Sequence, residues 1–347
     1  MTPKRKTVPD GAKTGPGRGR GLARLVGWLL LLAVPAVVLM FGLEQADRSS
    51  LPERTGPAIA AARSWGYQLQ NVDLKSIADG VDLLVVDYSR DGSERRVLRS
   101  AEIQTLRTRA DGSQRIVLAY MSIGEAENYR YYWQRGWAPG SPIWLGPENR
   151  EWRGNFPVRY WDQAWRRIIM RPQISLLDRL LETVQPVRRG YLDRIIEAGF
   201  DGVYLDRVDA FETWATERPS AQADMAEFVR TLSAYAKQRR PGFLVVPQNG
   251  EELLRFADYR RAIDAIAKED LLFGIKGDAQ PNNTEEIESG IRELNRLKSD
   301  RRPVFVVEYL TDPAKRAETQ RRLGPLGFVV QFANRDLRHV PEAATVP

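Results

Sequence analysis

Residues 199–209 run Gly199-Phe-Asp-Gly-Val-Tyr-Leu-Asp206-Arg-Val-Asp209. Within them Val203-Tyr204-Leu205 is an unbroken apolar run that stops on a carboxylate. Unbroken rather than alternating hydrophobicity marks a strand covered on both faces, as in a parallel sheet. A carboxylate so close to buried apolar residues costs several kcal/mol unless it is paired or has a purpose. Asp206 is therefore the first candidate for chemistry. Seven further runs of the same kind flank this one. They cover residues 65–70, 81–87, 116–124, 243–247, 265–267, 304–307 and 327–332, and the weakest is 265–267. Amphipathic helical patterns lie between them. Met225, Phe228, Val229 and Leu232 share one face, as do Ile287, Ile291 and Leu294, with Asn283 placed as a cap. Eight β-then-α units in residues 65–340, the last helix being weak, predict an α/β protein of the closed (β/α)8 TIM-barrel type.

The chain of 347 residues has no cysteine and a single histidine, His339. That excludes disulfide scaffolds, thiolate metal sites and cysteine nucleophiles, and leaves no Ser-His-Asp triad. No cofactor or metal is expected, since no ligand motif is present, although an all-oxygen magnesium or calcium site is a rival reading. The formal charge is +7. Lys4, Arg5, Lys6, Lys13, Arg18, Arg20 and Arg24, opposed by Asp10, account for nearly all of it. The basicity thus belongs to residues 1–24 and gives no reason to expect nucleic-acid binding.

Leu25 to Leu43 is uncharged. At 1.5 Å per residue it would span roughly 28 Å, about the thickness of a bilayer core. The expectation is a single-pass transmembrane signal anchor with a cytoplasmic basic tail, a linker over 44–64, and a catalytic domain outside the cytoplasmic membrane. A cleaved signal peptide is the alternative, against which stand the length of the run and its exit through Glu44-Gln45-Ala46-Asp47.

In barrels of this type the working face is formed by the C-terminal strand ends. Here those ends carry Asp87, Glu125 and Glu127, Asp206 and Asp209, Gln248-Asn249, Glu269, Glu308, and Gln331 with Asn334. Any one acid could be a helix cap or half of an ion pair, and Asp209 is equally a partner of Asp206 or a cap. Caps alone do not require acids on so many strands. Carboxylates crowded on one rim raise one another's pKa, which supplies an acid and a base together. The third and fourth strands are about eighty residues apart, and between them lie Trp133, Trp137, Trp144, Trp152, Trp161 and Trp165. Trp161 and Trp165, at helical spacing, are core. Tyr129 to Trp137 directly follows a strand end, and its rings either overhang the cleft for sugar stacking or pack the loop.

Tyr120-Met-Ser-Ile-Gly-Glu125-Ala-Glu127, Trp161-Asp162 with Trp165-Arg166, and Tyr191 through Asp209 together resemble glycoside hydrolase family 114, over roughly residues 64–338. The resemblance implies a TIM barrel with endo-α-1,4-polygalactosaminidase-like activity. It also implies a catalytic Asp ending the fourth strand, matched by Asp206, and a Glu after a later strand. Glu269 is the preferred match for that Glu and Glu308 the rival. Residues 170–189 stand as an insertion before the Tyr191 helix. The expectation is a retaining glycosidase with Asp206 as nucleophile and Glu269 as general acid/base. Asp87, Glu125, Glu127, Tyr129, Trp133, Asp209, Asn249 and Glu308 are expected to contact a polysaccharide, an amino-sugar polymer whose cationic groups suit an acidic rim. A catalytically silent polysaccharide-binding barrel is the alternative.

Overall fold

The computed structural model describes residues 58–72, 74, 80–170 and 189–340. All lie in the compact unit Glu53–Pro347. The expected membrane segment, residues 25–43, and most of the expected insertion fall outside them. No described helix is long and apolar enough to cross a membrane.

All eight apolar runs are strands, each within two or three residues of its expected place. They are β1 (Trp65–Gln68), β2 (Leu83–Asp87), β3 (Ile116–Ser122), β6 (Gly202–Asp206), β7 (Leu244–Pro247), β8 (Ile266–Glu269), β9 (Val304–Glu308) and β10 (Val329–Phe332). Two short strands were not foreseen. β4 (Glu125–Glu127) and β5 (Asn155–Pro157) form an antiparallel hairpin inside the long crossover, with Ala126 opposite Phe156. Three-residue strands are too short to leave a periodic signature.

The ladders differ from the expected closed cylinder. β1-β2-β3-β6-β7 form one parallel sheet and β8, β9 and β10 another. Between β7 and β8 only a single parallel bridge forms, Gln248 to Ala267. The preceding residue is Pro247, which has no N–H to give a ladder. Between β10 and β1 the contact is made by side chain and loop. The Trp65 indole donates to the Val329 carbonyl at 3.1 Å, and the Leu69 N–H to Leu337 O at 3.0 Å. Packing is more continuous than hydrogen bonding. Alternate residues of all eight parallel strands, among them Tyr67, Val85, Leu118, Tyr204, Val246, Ala267, Phe305 and Val329, meet in one cluster. That is the pattern of side chains pointing to one side of each pleat.

The helices around the sheets are α1 (Ser100–Arg107), α2 (Gln163–Ile169), α3 (Tyr191–Ala198), α4 (Phe211–Trp214), α5 (Ala221–Arg239), α6 (Ala257–Ala262), α7 (Thr284–Ser299) and α8 (Pro313–Leu323). Their starts follow local chemistry. Asp162 and Asp312 accept the N–H groups of Ala164 and Ala314 at 2.7 and 2.8 Å. Asn283 sits at the start of α7, where Glu286 accepts its N–H at 3.0 Å. In α5 the face carrying Met225, Phe228, Val229 and Leu232 is buried, as the spacing requires.

Candidate active site

The C-terminal ends of the parallel strands surround a cavity of about 550 Å³. Asp206, the last residue of β6, and Glu269, the last of β8, both line it. Asp206 accepts the Tyr120 hydroxyl on Oδ2 at 2.6 Å and the Arg207 backbone N–H on Oδ1 at 2.7 Å. Glu269 accepts the side-chain amides of Gln248 and Asn249 on Oε1, both at 2.8 Å, and the Tyr309 hydroxyl on Oε2 at 3.0 Å. Both acids are thus held by neutral donors. Burial, reinforced by the Glu269 charge, lifts the Asp206 pKa to about 7, while the Tyr120 hydrogen bond and Arg207 oppose the rise.

The backbone turns sharply beside both acids. Arg207, Asn249 and Asp270, which follow the ends of β6, β7 and β8, have φ of 59°, 59° and 53°. This left-handed region is uncommon for residues with a Cβ and concentrates at functional sites. Gly124 lets the end of β3 lie against this turn. A Cβ there would stand 2.1 Å from the Arg207 carbonyl oxygen.

The other rim acids are held differently. Arg130, fully buried, clamps Asp87 with two hydrogen bonds of 2.8 Å each, and its Nε reaches Glu127 Oε2 at 2.6 Å. Asp87 faces the cavity through this pair. Its pKa is raised by burial against the pull of Arg130. Glu127 lies behind, with the Tyr129 hydroxyl donating to its Oε1 at 2.5 Å. Tyr129 itself lines the cavity and is 44% exposed. Glu125 takes the Asn149 amide at 2.9 Å and stands 3.3 Å from Arg207 Nε. Asp209 lines the cavity 3.6 Å from Arg207 Nη1, and its Oδ1 has no hydrogen-bond partner. It caps no helix.

Glu127 and three further expected contacts lie outside the cavity lining. Glu308 is fully buried and accepts the N–H groups of Leu272 and Phe273 at 2.7 and 3.3 Å. Burial raises its pKa to about 8. Successive residues of a strand point to opposite faces, so Tyr309, not Glu308, reaches Glu269. Trp133 packs on Phe156 and Trp137, with ring centroids 4.9 and 5.2 Å away. The exposed cavity-lining rings of this stretch are Tyr129 and Trp152, the latter 58% exposed. Asn249 acts through Glu269 rather than lining the cavity. Sequence reasoning also missed Arg130, Tyr120 and Tyr309. The two tyrosines were findable, since both occur in or directly after strand runs. Arg130 follows the strand end by three residues with no signal of its own.

An α/β fold with parallel strands and an acid-lined cavity at their C-terminal ends is the architecture of many glycoside hydrolases. The model of glycoside-hydrolase family GH114 matches residues 45–345, and the chain belongs to that family. A protein of Methanocaldococcus jannaschii is 36% identical over 79% of this chain and 72% of its own length. One of Thermotoga maritima is 36% identical over 75% of each. The glycoside hydrolase domain of PelA from Pseudomonas aeruginosa shares the fold. Its TM-score is 0.56 at 18% identity, covering 80% of this chain and 97% of that domain.

Proposed function

We propose that the protein is a retaining, endo-acting glycosidase that cuts an amino-sugar polysaccharide. In this reading it is held at the outer face of the cytoplasmic membrane by residues 25–43, and its eight parallel strands act as one barrel. Asp206 is the nucleophile: it attacks the anomeric carbon and forms a glycosyl-enzyme ester. Glu269 protonates the departing glycosidic oxygen, then takes a proton from the water that hydrolyses the ester. The reaction requires the singly protonated pair. A cationic sugar entering the cavity favours the ionised form of Asp206, which the Tyr120 hydroxyl and the Arg207 N–H are placed to stabilise. The substrate's amines and hydroxyls have Asp87, Glu125 and Asp209 to bind. Family membership supports the class of reaction. The observation that carries the assignment is that Asp206 and Glu269 share one cavity, each held by neutral donors. A salt bridge on either would have favoured a silent binding protein.

A second reading exchanges the two roles, and the Asp206 pKa of about 7 favours it, because a proton resting there makes Asp206 the acid. Substrates with activated leaving groups separate the two. A variant lacking the acid keeps its first step on such substrates, whereas one lacking the nucleophile does not. Purified chain incubated with acetylated and deacetylated amino-sugar polymers, with products sized by mass and the first-formed anomer read by NMR, tests the proposal. An unchanged polymer across the whole panel sinks it.

A further inference from the structure

One tryptophan of the crossover between β3 and β6 is unlike the others. Trp133, Trp137, Trp144, Trp161 and Trp165 each pack against neighbouring rings, with centroids 4.9–5.6 Å apart. Trp152 has no ring partner among the described residues and stands more than half exposed. An indole left in water forfeits the burial that so large a ring could give. The loop that presents it is nevertheless firmly held. Asn149 Oδ1 accepts the N–H groups of Glu151 and Trp152 at 3.0 and 3.3 Å, and Glu148 accepts that of Gly154 at 2.8 Å. The Asn128 N–H reaches the Gly154 carbonyl at 2.8 Å, and the Asn155 N–H closes the turn on the Trp152 carbonyl at 3.1 Å. The Asn149 amide also donates to Glu125, which stands beside Arg207, the neighbour of Asp206. A short series of polar contacts therefore fixes the Trp152 loop relative to the reactive end of the cavity.

Trp152 lines the same cavity as Asp206 and Glu269, with Arg153, Asn155 and the half-exposed Tyr129 also in the wall. The donors that hold the two acids come from other residues. A flat apolar face set in a polar wall is the complement of a pyranose ring, which carries hydroxyls around its edge and C–H groups on its face. We propose that Trp152 forms a sugar-stacking subsite, in which the C–H face of a ring remote from the bond being cut lies against the indole. The identity of this occupant rests on the glycosidase reading; the exposure of the indole and the order of its loop do not. Because the loop is already tied down, the contact forms with little loss of freedom. A ring stacked away from the reacting atoms is bound alike in ground and transition states, so its effect belongs in KM more than in kcat. Only a chain long enough to reach from the acids to Trp152 gains it.

The test reads affinity against chain length. Galactosamine oligomers of graded length are titrated calorimetrically into the full chain carrying Asp206→Asn, with and without Trp152→Ala. Long oligomers should bind about tenfold more weakly once the indole is gone, and the loss should shrink for oligomers too short to span the cavity. Trp152→Phe should recover part of the affinity, since a smaller ring still offers a face. With Asp206 restored, Trp152→Ala should raise KM on the polymer far more than it lowers kcat. Affinity indifferent to Trp152 at every length overturns the inference. So does an equal loss at all lengths, which would make Trp152 a prop of its loop. The two readings fail separately. Length-dependent binding with no cleavage by the parent chain sinks the glycosidase and leaves the subsite, whereas cleavage with affinity indifferent to Trp152 sinks the subsite alone. Oligomers that neither bind nor are cut sink both.

Discussion

Two arcs of one rim carry acids of the same type at the same kind of position, yet they are built for different work. On the β2–β4 side Asp87 and Glu127 close around Arg130, a buried guanidinium that uses its whole fork on them. On the β6–β8 side Asp206 and Glu269 meet only hydroxyls, amides and a backbone N–H. A carboxylate locked to a cation is poorly placed to carry a proton in a reaction. One held by neutral donors keeps its proton affinity adjustable. The charge of the partner, more than the position of the acid, separates the two arcs.

The contrast breaks first at the proposed catalytic pair. Asp206→Asn and Glu269→Gln should each lower kcat/KM on the natural polymer by about 10³–10⁴-fold. The Asp206 variant should also be the more stable protein at alkaline pH. A carboxyl whose folded pKa is raised to about 7 binds its proton more tightly when folded. The wild type therefore loses stability as pH climbs from the unfolded carboxylate pKa of about 4 through about 7. Thermal melts should show the Asn variant ahead at pH 8 and the gap closing toward pH 4. Activity near wild type in either variant would dissolve the distinction between the arcs.

Arg130→Leu attacks the opposite arc and should read out as stability. It leaves Asp87 and Glu127 buried without their cation, which costs about 3–5 kcal/mol in denaturant titrations. A variant as stable as the parent would show that Arg130 is no clamp. Tyr120→Phe is the next smaller effect, a loss of about tenfold in kcat. The Asp206 titration near pH 7 should appear as a limb of the wild-type pH–rate profile. Removing a donor that holds the Asp206 pKa down moves that limb to higher pH. A shift the other way would contradict the assigned hydrogen bond. Glu308→Gln is the smallest. With a pKa near 8 the residue is neutral at pH 7, and the amide oxygen can still accept from Leu272. Activity should stay within about twofold; a collapse would restore Glu308 as the rival acid.

Much of this was legible in the sequence because it depends on local pattern. Unbroken apolar runs placed all eight parallel strands, and reading each run to its end located Asp206 and Glu269. What stayed hidden depends on distance in space. The Arg130 clamp joins residues forty-three positions apart. The hairpin of β4 and β5 is too short to show a period. Glu308 and Trp133 were misplaced for one reason: residue type and position along a strand say nothing of which way a side chain turns. The two-sheet hydrogen bonding was equally out of reach, since apolar content reports burial and not the pairing of N–H groups.

The left-handed turns after β6, β7 and β8 set a limit on improving this molecule. Each holds a residue with a Cβ where glycine would rest more easily, at a local cost of about 1–3 kcal/mol. Arg207→Gly or Asp270→Gly would relieve that strain. Each would also loosen the turn beside a proposed catalytic acid. The same changes would remove the pairs of Arg207 with Glu125 and Asp209 and of Asp270 with Arg335, so heat resistance cannot be gained at these turns by glycine alone.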